Sequence, residues 1–84
     1  MTIEYHPLVT GAVWAATSPG EDRDLARIGL SLLPTTVGRA LEVAAGALAD
    51  PNARRGFGLA CAALCRQTAL DFHERNRKKV RHAA

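Results

Sequence analysis

The sequence predicts an all-α protein, a small helical bundle of three main helices plus a short N-terminal helix. Three observations carry this. β-Branched residues are few and never alternate with a period of two, Ala and Leu dominate, and the four prolines stand at or just before the apolar runs, where a helix begins most easily. At 84 residues, 48% hydrophobic and 23% charged, the composition is that of one globular domain, 1–84. A chain this short buries only about 60–65% of its unfolded surface, so its core is thin. That excludes a two-domain enzyme and the βαβ folds that bind nucleotides.

His6-Pro7 opens the first apolar segment, which runs to Thr17 with Leu8, Val9, Ala12, Val13 and Trp14 as burial candidates. Ser18-Pro19-Gly20-Glu21 matches a capping box, in which the Ser18 hydroxyl accepts the Glu21 N–H and the Glu21 carboxylate reaches back. Glu21, Asp22 and Asp24 fall in the first turns, where the helix dipole favours anions. Leu25, Ile28 and Leu32 then form an amphipathic stripe. Pro34 breaks this helix, and Thr35 or Thr36 is placed to cap the next. Its expected buried face is Val37, Ala40, Leu41, Ala44, Ala45 and Leu48, with Arg39 and Glu42 pairing outward. Asp50-Pro51 is an N-cap followed by proline at the first helical position. From there a long helix is expected to run to about Lys79, burying Phe57, Cys61, Leu64, Cys65, Thr68 and Phe72, before a frayed basic tail at about 80–84. Gly38, Gly46, Gly56 and Gly58 in or near helices point to close helix–helix approach, within the chain or in a homodimer.

The net charge of +3 hides an asymmetry. Residues 1–50 carry six acids and three bases, and residues 51–84 carry two acids and eight bases. The basic half therefore suits an anionic partner. Cys61 and Cys65, the only cysteines, share a helix face where no disulfide fits, and they read as small buried hydrophobes in a reducing cytosol. No basic n-region and apolar core marks a secretory signal. The uncharged stretch from Gly56 to Cys65 is ten residues long, well short of the ~18–20 that a membrane span needs. The expectation is a cytoplasmic protein with no membrane contact.

Chemistry is poorly supplied. Cys61, Cys65 and His73 make an incomplete zinc set, and Cys-x3-Cys is not a redox pair. His6, His73 and His82 are scattered, the acids at 21–24 have a helix-start role, and no phosphate-binding glycine loop follows a strand. No catalytic residue, cofactor or metal is expected.

The basic face of the last helix is the better candidate. Arg55, Arg66, His73 and Arg77 fall in one narrow sector, and Arg75, Lys78, Lys79 and Arg81 enlarge it near the C-terminus. Such a face grips phosphates or an acidic protein surface, and arginine's planar fork makes Arg66, Arg75 and Arg77 its expected energetic centre. Few aromatic residues remain for base stacking, which favours a protein partner, with either an acidic or a nucleic-acid-binding surface. Size and composition are those of small regulators and inhibitors, including ones carried by phages and other mobile elements.

One segment offers an alternative. Asp24-Leu25-Ala26-Arg27-Ile28-Gly29-Leu30-Ser31, followed by Pro34-Thr35-Thr36-Val37-Gly38-Arg39-Ala40-Leu41, resembles a helix-turn-helix of the repressor type. That resemblance implies a DNA-binding regulator in which Thr35, Thr36 and Arg39 lead the second helix into the major groove. The spacing of Ala26, Gly29 and Val37 departs from the motif.

Overall fold

The computed structural model describes residues 6–83, with side chains through residue 77. Its elements are α1 (Pro7–Ala16), α2 (Glu21–Leu32), α3 (Thr35–Ala47) and α4 (Pro51–Ala83), with no strand among the described residues. The protein is an all-α bundle. α4 is its spine: α2 and α1 both pack along it, and α3 lies chiefly on α1. At 1.5 Å per residue the 33 residues of α4 span about 50 Å, against about 15–20 Å for each of the others. The longest dimension is accordingly 51 Å, and the radius of gyration is 14.1 Å where about 12 Å suits a compact chain of this length.

The core is made of small side chains. Val9, Val13, Ala26, Cys61, Ala62 and Cys65 are buried, with Trp14, Leu30, Leu33, Leu41 and Phe57 packed around them. Small residues there let backbones meet. A Cβ on Gly29 would stand 1.7 Å from the Cys65 carbonyl oxygen, so α2 and α4 touch main chain to main chain. A Cβ on Gly58 would come within 2.9 Å of the Ala12 carbonyl oxygen, a milder contact of the same kind between α4 and α1. Gly38 seats the buried His6 ring, whereas Gly56 touches nothing.

These contacts turn several helices away from the faces that their large apolar residues suggest. On α2 the buried positions are Ala26 and Gly29, while Leu32 of the expected stripe is exposed. Leu8 on α1 is half exposed. On α4 the buried line runs Gly58, Cys61, Ala62, Cys65, Ala69, and Leu64 points outward. α3 departs most: only Gly38 is buried, and Val37, Ala40 and Ala44 are exposed. It rests chiefly on α1, and half of its expected face is exposed.

The helix ends differ too. Gly20, at φ +104°, turns the chain and itself becomes the N-cap of α2. Ser18 is then too far upstream to cap. The reciprocal half of the motif survives in another residue, because the Ser18 N–H donates to Asp22 Oδ2 (3.1 Å). Pro34, not Thr35 or Thr36, is the N-cap of α3, and no side chain caps it. Asp50 behaves as its position suggests, accepting the Asn52 N–H (3.2 Å). α4 continues past Lys79 to Ala83.

Substitution Gly29→Ala should cost roughly 2–4 kcal/mol, since overpacking against backbone cannot relax through a rotamer. Gly56→Ala, in open space on the same spine, should instead gain up to about 1 kcal/mol from helix propensity. Urea unfolding followed by Trp14 fluorescence would measure both.

Candidate functional site

The helical sector that holds Arg55, Arg66, His73 and Arg77 is divided by their surroundings. Arg66 faces α2 and donates to Asp22 Oδ1 at 2.7 Å, with both side chains about two-thirds covered. It therefore links α4 to α2 within the fold. Arg55 is exposed near the start of α4, where with Arg54 it borders a groove against α1. Toward the other end His73, Arg75 and Arg77 are all exposed. The His73 ring meets Phe72 edge-on, with centroids 5.9 Å apart. Arg77 pairs with Glu74 one turn back, and Arg75 has no ion-pair partner among the described residues. The side chains of Lys78, Lys79 and Arg81 lie outside the described residues. Of the expected basic face, the described residues thus place His73, Arg75 and Arg77 together on the exposed distal part of α4.

The Asp22–Arg66 pair has an electrostatic signature. The hydrogen bond from Arg66, with help from the Ser18 N–H, lowers the Asp22 pKa below its ordinary 3.8, and partial desolvation only partly opposes this. The thiols behave in the opposite sense. Burial raises the Cys61 pKa, and burial together with the neighbouring Cys61 pushes Cys65 up to about 11. Both sulfurs are held as neutral thiols facing the core, the state of packing residues and not of nucleophiles. His73 lies eight residues further on, about 12 Å along the axis, and is exposed, so the three do not converge.

Thr35, Thr36 and Arg39 are exposed on the first turns of α3. The helix before them is packed on α4 and α1, and α3 itself on α1, so α2 and α3 do not form the mutually packed pair of a helix-turn-helix.

Two polar residues hold α1 in place and were invisible as such in the sequence. Glu42, expected to point outward beside Arg39, instead accepts the N–H groups of Leu8 and Val9, each at 3.1 Å. It caps α1 from α3. At the other end Arg23 donates to the carbonyl oxygens of Trp14 (2.9 Å) and Thr17 (3.1 Å). The guanidinium carbons of Arg23 and Arg27 lie 5.8 and 5.9 Å from the Trp14 ring centroid, within cation–π range. Among the described residues no helix is long and apolar enough to cross a membrane, and no group of three or more His, Cys, Asp or Glu is placed to hold a metal. Comparison with known proteins finds no matching family model, curated protein or solved structure.

Because the folded pKa of Asp22 is depressed, its contribution is complete above the ordinary value of 3.8 and disappears as the pH falls through the lowered one. An Arg66→Gln variant should therefore lose stability near neutral pH and show a shallower acid limb in unfolding-midpoint profiles. The thiols give the mirror image. Their raised pKa favours the fold below the ordinary value of 9.0, and the share due to Cys65 is lost as the pH rises through about 11. Native protein at pH 8 should accordingly resist a thiol-reactive dye that labels both cysteines at once after unfolding in urea.

Proposed function

We propose that this chain is a small non-catalytic protein-binding module, a regulator or inhibitor, whose projecting basic end of α4 receives an acidic partner surface in a reducing cytosol. One observation carries the reading. Among the described side chains the last buried one on α4 is Ala69, and every one from His73 to Arg77 is exposed although the helix continues to Ala83. Among the described side chains, those beyond Phe72 are therefore free of tertiary packing. They carry His73, Arg75 and Arg77, and the sequence goes on with Lys78, Lys79 and Arg81.

A helix end without tertiary packing is marginal in water. An acidic surface laid against it supplies both packing and charge complementarity, while the arginine forks give bidentate geometry. Cationic side chains clustered at one end of an elongated molecule also steer encounter with an anionic target, an effect that salt screens within about 8–10 Å.

The test is affinity capture from host lysate with nuclease present, comparing wild type with Arg75→Glu/Lys78→Glu. Capture of an acidic protein, weakened by salt and reduced about tenfold or more by the charge reversals at unchanged melting temperature, is the expected result. Retention that vanishes with nuclease and is lost in Thr36→Ala/Arg39→Ala would instead assign the protein to nucleic acid through α3.

A further inference from the structure

At the opposite end of α4 an open groove of about 820 Å³ runs between α1 and the first turns of α4, bordered by the last turn of α3. Leu8, Ala12, Ala15, Phe57 and Leu59 are among its apolar walls, and among the described residues the only charged side chains lining it are Arg54 and Arg55. Leu8 and Leu59 are 51% and 54% exposed, an unusual state for two leucines facing one another's helix.

Gly11 is the telling residue. It lies inside α1, where glycine weakens a helix relative to alanine, and a Cβ there would meet nothing within 4 Å. The fold therefore gives no reason for it, in contrast to Gly29 and Gly58, which admit a neighbouring backbone. Gly46, also lining the groove, would meet only Leu8 Cδ1, at an ordinary 3.6 Å. Bare backbone in an open groove suits an occupant that comes as near as another helix, with axes about 8 Å apart. A slender chain would leave room for the methyl groups.

Charge selects the occupant. Arg55 is exposed with no ion-pair partner among the described residues. Arg54 donates its Nε–H to the Leu48 carbonyl, which anchors its guanidinium across the α3–α4 turn. The start of α4 adds the positive end of a long helix dipole, partly offset by the Asp50 carboxylate that accepts the Asn52 N–H and does not line the groove. This end of the groove calls for acid. Among the described residues α2 is the only helix with an acidic start, and it already sets Ala26 and Gly29 against α4, which argues against a second copy as the occupant.

We infer that this groove seats one amphipathic helix of a partner protein, its small apolar face against Gly11, Ala12 and Ala15 and its acidic side chains against Arg54 and Arg55. The surface is separate from the basic end of α4 and does not rest on the reading given above for that end.

A fluorescein-labelled synthetic peptide of about 14 residues, with Ala and Leu at helical spacing and Glu on the flanks, probes it directly by fluorescence anisotropy. The glutamate peptide should bind at least about tenfold more tightly than a twin with Lys for Glu, and Arg55→Glu should erase that preference. Gly11→Leu should abolish binding while raising the melting temperature, because it puts a better helix former and a bulky side chain where a Cβ meets nothing. Arg75→Glu/Arg77→Glu should leave peptide binding intact, which separates this surface from the distal one. The inference fails if the glutamate peptide does not bind, if the twins bind alike, or if Gly11→Leu binds as wild type does. It also fails if sedimentation shows a dimer that Gly11→Leu dissociates, which would make the occupant a second copy of this chain.

Discussion

The main-chain contact between Gly29 and Cys65 is the constraint on which the rest of the bundle depends. It draws α2 so close to α4 that the space between them admits only Ala, Gly and Cys side chains, and it turns α2 about its axis until Ala26 faces inward. Bulky residues such as Leu30 and Leu33 are then left to seal the edges. A core of this kind buries little apolar area per residue, and close packing must supply what area does not. It also explains why two cysteines occupy its centre: a thiol is hardly larger than a methyl group, and burial keeps it neutral.

A thin core leaves α1 dependent on polar ties. Ten residues are too few for a helix to persist alone. Its buried contribution is Val9 and Val13, so the remaining support comes from its ends. Glu42 satisfies two N–H groups that would otherwise lack intrahelical partners, and Arg23 satisfies carbonyls at the other terminus. Both ties carry the charge that the α1 dipole favours at that end. α1 is thus held by residues from α2 and α3 while its side face rests on α4, with Leu8, Gly11 and Ala15 left to line the groove beside that contact.

The helix boundaries were legible because they are written locally. Pro7 and Asp50-Pro51 fall where the helices begin, and Gly20 and Pro34 end the gaps between them. The faces were less so. Periodicity weighs large apolar residues most heavily, and here the innermost positions are held by the smallest, so Leu32, Val37 and Leu64 pointed the wrong way. Helical geometry sets Arg55, Arg66, His73 and Arg77 in one sector of α4, but it does not say what stands opposite each residue. Arg66 finds Asp22 at a separation of 44 residues, and Glu42 reaches α1 from 34 away. No local pattern records such pairs. Arg54 and Gly11 were passed over for a related reason, since a groove exists only once two helices are side by side.

The length of α4 has a consequence for affinity. Arg55 and Arg75 lie on one continuous helix, about 30 Å apart along its axis, with no hinge between them. Two surfaces on a stiff rod differ from two surfaces joined by a flexible linker, because the distance between them is set in advance and costs no chain entropy on binding. A partner whose own two sites match that distance would meet the second site at a high effective concentration once the first is engaged. A partner with any other spacing would hold one end at a time, however well each end fits. Selectivity between related targets would then be a matter of length as much as of chemistry.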